Sequence, residues 1–188
     1  IHSENYNIFA LVANSSVSKL FQQCKKYNPK YVYMNKEGCG KELISLIKDA
    51  NIHTEVLFNE QELMQLVAHD DIDIIVCAIS GSAGLKSSVQ AAGSGKKVLL
   101  ANKESLVMCG SLFMEIAEDN NSTILPVDSE HNALHQCFAA NSTKSLEKII
   151  LTASGGPFLD SDINKFDQIT PEQALKHPTW DMGKKNIH

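Results

Sequence analysis

Residues Leu125 to Cys137 read LPVDSEHNALHQC. Two carboxylates, Asp128 and Glu130, bracket Ser129 between an apolar lead-in and a helix-like run. If Val127–Glu130 continues a strand, side chains at i and i+2 share a face. Their Cα atoms then stand roughly 6.6 Å apart, at about 3.3 Å per residue. Carboxylates at that spacing can converge on one hard divalent cation such as Mg2+ or Mn2+. The same residues suit a helix start, with Asp128 or Ser129 as cap and Glu130 facing the dipole. Pattern alone leaves both readings standing. His131 and His135 have the four-residue spacing of helical zinc sites, but no HExxH pattern surrounds them, and solvent-facing histidines are the plainer reading.

Three further stretches hold residue types suited to chemistry. In LLANKES, Leu99 to Ser105, an apolar run gives way to Asn102, Lys103 and Glu104 at a helix start, where the helix dipole and Lys103 together favour an anionic or polar ligand. A salt bridge between Lys103 and Glu104 is a poor alternative, because adjacent helix residues do not face each other. In ANSS, Asn14, Ser15 and Ser16 are neutral hydrogen-bonding residues after an apolar run. In a dinucleotide fold the loop after the second strand meets the adenosine ribose, and the absence of an acid there leaves room for the 2′-phosphate of NADP. The same three residues are also ordinary helix caps. The Gly-Gly pair of TASGGPF, after Ser154, and the HPTWDMGKK stretch with His177, Trp180 and Gly183 flank a long loop. A glycine hinge, a histidine and the chain's one tryptophan suit a lid that closes over a ligand and excludes water.

The elements that would position these residues follow from hydropathy periodicity. Short β-rich runs at 7–13, 30–34, 54–58, 71–79, 96–102, 122–127 and 147–154 alternate with helical patterns at 16–28, 40–51, 59–70, 82–95, 103–119 and 129–141. Such alternation predicts an α/β fold with a mainly parallel, doubly wound Rossmann-like sheet and right-handed crossovers. The start of an α+β domain is expected after it, with a boundary at 127/128. The run 71–79 is apolar enough to be covered on both faces. Beyond 154 the chain reads as a long loop with one short helix, Pro171 to His177. In open parallel sheets ligands bind at the carboxyl ends of the strands. That rule selects 14–16, 80–83, 101–104 and 128–130.

The bulk numbers exclude several classes. The 188 residues carry a formal charge of −5 and no basic run, which argues against a nucleic-acid surface. Five scattered cysteines with no CxxC pair argue for a reducing compartment. No stretch approaches the roughly 18 apolar residues of a membrane span, and none reads as a signal peptide.

Taken together, ANKESLV, PVDSEHNA, SGGPF and HPTWDMGKK resemble, in order and separation, the 1-deoxy-D-xylulose 5-phosphate reductoisomerase family over nearly the whole chain. The resemblance implies reduction and isomerisation of a phosphorylated sugar with NADPH and a divalent cation, Mg2+, Mn2+ or Co2+, by a homodimer of the bacterial cytoplasm or plastid. It implies that Asp128 and Glu130 hold the metal. Lys103, Ser129, Glu130, Ser154, His177 and Trp180 would meet the substrate, with Asp128, Glu130 and His177 catalytic. Asn14, Ser15, Ser16, Asn102, Glu104 and Gly183 would meet NADPH. Some relatives carry a lysine where this chain has the neutral 14–16 loop. The family's upstream GSTGSIG loop and downstream MNKGLE segment are not in the sequence, so the chain is expected to be an internal portion, inactive alone. The competing readings are a metal-free nicotinamide dehydrogenase and a non-catalytic nucleotide-binding module.

Overall fold

A computed structural model of the protein describes residues 3–139, 146–151 and 156–176. The chain divides into two compact units, Ile1–Ala140 and Asn141–His188.

The first unit alternates strand and helix throughout: β1 (Ala10–Ala13), α1 (Val17–Tyr27), β2 (Tyr31–Met34), α2 (Glu37–Asp49), β3 (Glu55–Leu57), α3 (Glu60–Val67), β4 (Ile74–Cys77), α4 (Leu85–Ala92), β5 (Lys97–Leu100), α5 (Lys103–Asp119), β6 (Thr123–Pro126) and α6 (Ser129–Ala139). Every strand pairing is parallel, as the alternation predicts. The strands form two sheets, ordered β1-β2-β3 and β4-β5-β6, where the sequence reading expects one. β1 and β4 each have a ladder partner on one side only, and both line a single cleft of about 640 Å³.

β2 shows how the helices cover the first sheet. Val32 and Met34 pack with Val17, Leu20 and Cys24 of α1 and Leu43 and Ile47 of α2. Tyr33, between them, joins Leu63 and Val67 of α3 in the other core. Alternate residues thus feed opposite faces, as a strand's two-residue period requires. That second core continues through Cys77, Ala91, Ala92, Val98 and Leu100 to Phe113 and Ala117 of α5. β4 differs from expectation. Cys77 is buried, but Val76 is 62% exposed, so the apolar run 71–79 is covered on one face within this unit.

Local signals set the helix ends. Asn59 caps α3 in a full capping box: its side chain accepts from the Glu62 N–H, and the Glu62 carboxylate accepts from the Asn59 N–H. α1 ends at Asn28, in the left-handed region with φ 46°, one residue before the proline expected to end it. At the other end of α1, Ser16 holds the cap position but makes no side-chain cap hydrogen bond. α5 kinks at Cys109 (φ −149°), whose thiol donates to the Ser105 carbonyl four residues back.

In the second unit, 3-10 turns Gly156–Phe158 and Ile163–Gln168 bring the Phe158 and Phe166 rings to 6.2 Å, and α7 (Pro171–Ala174) starts from a Thr170/Gln173 capping box. The expected helix thus ends at Ala174, and His177 lies outside the described residues. The expected strand 147–154 does not form over its described part, 147–151. Ile150 is 72% exposed, and a strand cannot persist without a ladder partner, which no described residue of this unit supplies. No helix among the described residues is long and apolar enough to cross a membrane.

Two stability predictions follow from the packing. Phe113→Ala, at a fully buried position, should cost about 3–5 kcal/mol in urea unfolding. The Glu62 carboxyl is held below its usual range by the backbone hydrogen bonds from Phe58 and Asn59. Its contribution is therefore complete above the unfolded-state carboxylate pKa, about 4.3, and lost as pH falls through the lower folded value. Glu62→Gln should flatten the acid limb of stability against pH.

Candidate active site at the strand exits

β5 and β6 run in register, Leu100 opposite Pro126, and the Val127 N–H donates to the Leu100 carbonyl at 2.9 Å. The two strands therefore release their exit loops side by side. One loop enters α5 at Lys103, and the other enters α6 directly after Asp128. Lys103 Nζ lies 3.0 Å from Asp128 Oδ2, and His131 Nδ1 lies 3.3 Å from Asp128 Oδ1. Glu130 is near enough to Asp128 to influence its carboxyl, so the two acids are neighbours at the exit. Asn132 holds α6 in place by donating from Nδ2 to the Pro126 carbonyl at 2.8 Å.

The Asp128 side chain is 13% exposed and that of Lys103 is 52% exposed. Burial pushes the Asp128 carboxyl up. The hydrogen bond and charge of Lys103, with Glu130 and His131, outweigh it and hold the group below its ordinary range. The Lys103 ammonium is held above its usual value, first by the Asp128 hydrogen bond and then by the charges of Asp128, Glu130 and Glu104 acting against desolvation. Lys103 thus supplies the positive charge that this pair of acids calls for.

Among the described residues, no group of three or more His, Cys, Asp or Glu side chains is arranged to hold a metal. The donor set at the exit is two carboxylates. These are hard oxygen ligands of the kind Mg2+ takes one or two at a time, with water and substrate oxygens completing its octahedron. The residues present fit such an ion. Ser129, between the two acids, is exposed, and Glu104 sits half-buried in the first turn of α5.

Asn102 is placed differently from a surface ligand contact. It is 1% exposed, and its amide is used within the protein. Nδ2 donates to the Ile79 carbonyl at 2.5 Å and the Gly81 carbonyl at 3.0 Å, and Oδ1 accepts from the Ser105 N–H at 2.8 Å and from the Ser105 hydroxyl. Two donors and two acceptor sites are the whole capacity of that amide. It fastens the β4 exit to the start of α5, so its bearing on a ligand runs through the loop it holds or through its backbone. Gly81, in that loop, has φ +73°, which a residue with a Cβ rarely adopts.

At the exits of β1 and β2 the structure places Asn14, Ser15 and Ser16, all exposed. The Ser16 hydroxyl is free of helix capping, and the first turn of α1 holds no acid. An uncharged, donor-rich loop of this kind fits a phosphorylated ribose. The sequence reading passed over Asn35, whose Nδ2 donates to Asn14 Oδ1 at 2.9 Å. Applying the strand-exit rule to β2 would have found it. Ser154, His177, Trp180 and Gly183 lie outside the described residues.

Known proteins share this sequence pattern and fold. The sequence model of 1-deoxy-D-xylulose 5-phosphate reductoisomerase matches residues 1–110, and that of the same enzyme's C-terminal domain matches 124–187. Reductoisomerases of Ruthia magnifica subsp. Calyptogena magnifica and Haemophilus ducreyi are 44% and 43% identical, over 98% and 97% of this chain and 47% and 48% of their own lengths. A crystal structure of DOX-P reductoisomerase in complex with NADPH, fosmidomycin and magnesium is 38% identical, with a TM-score of 0.79 over 97% of this chain and 47% of that one. The Zymomonas mobilis enzyme in complex with NADPH is 37% identical, with a TM-score of 0.81 over 94% of this chain and 46% of its own. The chain spans about half the length of the curated relatives it matches. With a family model matching more than half of its residues, the chain belongs to the 1-deoxy-D-xylulose 5-phosphate reductoisomerase family.

Proposed function

We propose that the full-length protein is an NADPH- and divalent-metal-dependent reductoisomerase that converts 1-deoxy-D-xylulose 5-phosphate to 2-C-methyl-D-erythritol 4-phosphate. The observation that carries this reading is the convergence of Lys103, Asp128 and Glu130 at the exits of β5 and β6. That is the end of a parallel sheet where ligands bind.

In this reading residues 1–127 serve the nucleotide and 128–188 the reaction. Asp128 and Glu130 hold the cation, which when bound polarises the substrate carbonyl and orients its oxygens. Lys103, beside these carboxylates, would give its positive charge to a substrate oxygen. Ser129, Ser154 and His177 complete the substrate contacts, and Trp180 covers the site and excludes water. Asn14, Ser15 and Ser16 meet the adenosine end of NADPH; Asn102, Glu104 and Gly183 serve the cofactor nearer the reaction. The protein acts as a homodimer in the bacterial cytoplasm or a plastid. Cys24, Cys39, Cys77 and Cys109, unbridged among the described residues, suit those reducing compartments.

NADPH consumption by the full-length protein with deoxyxylulose phosphate is the direct test. A chelator should abolish it, and added Mg2+ or Mn2+ should restore it. Turnover that survives the chelator would instead support a metal-free dehydrogenase. Asp128→Asn should weaken metal binding, read by calorimetry, by about 100-fold, the upper end of what disturbing a metal site's supporting groups costs. Turnover should fall with it. Unchanged metal affinity would remove Asp128 from the metal's ligands.

A further inference from the structure

We propose that Lys36 is the cation that selects NADP over NAD in this protein, by pairing with the 2′-phosphate on the adenosine ribose. The proposal rests on the nucleotide reading above. In a dinucleotide fold, discrimination between the two cofactors lies at the loop after the second strand: an acid binds the 2′-hydroxyl, and a cation accommodates the 2′-phosphate. Here the loop read in that place is Asn14–Ser16, which follows β1 and stands second once the family's upstream glycine-rich strand is counted first; it carries no charge of either sign. It admits a phosphate and can donate hydroxyl hydrogen bonds, but it cannot neutralise a group carrying between one and two negative charges.

The missing charge stands on the adjoining loop. The exits of β1 and β2 are laced together by three hydrogen bonds. The Asn35 N–H donates to the Ala13 carbonyl at 3.0 Å, the Lys36 N–H donates to the Asn14 carbonyl at 3.0 Å, and Asn35 Nδ2 donates to Asn14 Oδ1 at 2.9 Å. The Tyr33 hydroxyl donates to Asn35 Oδ1 at 3.3 Å and steadies that amide. The Lys36 backbone is therefore fixed one hydrogen bond from the ribose loop, with an ammonium on a flexible four-carbon stem.

The lysine is also uncommitted. Lys36 is exposed, and among the described residues it makes no ion pair. Its neighbour Glu37 would otherwise compete for it or repel a phosphate. Lys41 engages Glu37 at 2.7 Å and neutralises it. The rival cation is Lys19, in the first turn of α1. It sits on the side of that helix away from Val17, Leu20 and Cys24, the residues that bury against the sheet. Lys36 instead stands at the sheet's carboxyl edge.

Calorimetric titration of the full-length protein with 2′,5′-ADP and with 5′-ADP isolates the 2′-phosphate without any turnover. The wild type should bind 2′,5′-ADP more tightly. Lys36→Gln should lower that affinity about tenfold, the size of one charge-assisted hydrogen bond, and leave 5′-ADP within about twofold. Lys36→Glu should reverse the preference. Circular dichroism confirms that these surface variants fold. The proposal is overturned if Lys36→Gln keeps the wild-type preference, or if Lys19→Gln abolishes it instead. Binding of neither nucleotide by the wild type would overturn the nucleotide reading beneath it.

Discussion

The side-chain amide of Asn102 fastens the exits of β4 and β5 beyond their last backbone bonds, which the Ala101 and Asn102 N–H groups make to the Cys77 carbonyl. Its donors hold the Ile79 and Gly81 carbonyls, and its acceptor holds the first turn of α5 through Ser105. A buried amide with all its hydrogen bonds made is favourable, and one with any left unmade costs about 1–3 kcal/mol per orphaned group. This network therefore has essentially one stable arrangement. It fixes where α5 begins, and so where Lys103 leaves the sheet.

From that anchor the electrostatics follow. Asp128 is too enclosed to rely on water, and it sits beside a second acid. Two carboxylates so close demand positive charge. Lys103 supplies it in this structure, and a divalent ion supplies more. On the proposed reading a bound cation would hold the two acids and leave Lys103 for an anionic substrate. The half-exposed stem of Lys103 leaves it that freedom.

Much of this was legible residue by residue. The α3 cap was, because Asn59 and Glu62 lie three apart and act locally. The strand-helix alternation and parallel pairing followed from periodicity. What escaped depended on distant partners. An asparagine before a helix reads alike whether it faces a ligand or is buried, so the inward role of Asn102 was invisible. α2 starts at Glu37, ahead of the expected 40, and Gly40 is packed so closely under the Phe58 ring that a Cβ there would collide with it. The kink at Cys109 gave no warning, and residues 147–151 had strand composition without a ladder partner among the described residues. Asn35 was missed because its meeting with Asn14 is created only by the register of β1 on β2.

The division of the strands into two sheets sets how the two halves of the first unit meet. Between β1 and β4 there is no shared ladder, and the halves meet through side chains, Tyr33, Leu63 and Val67 on one side and Cys77 and Ala91 on the other. Side-chain contacts yield without breaking backbone hydrogen bonds. Within residues 3–139 each half therefore packs as a block of its own, and the edges of β1 and β4 that face the cleft carry no ladder bond there. The exits of β1 and β2 lie on one side of that cleft and those of β5 and β6 on the other, so on the proposed reading a dinucleotide would have to reach across both halves.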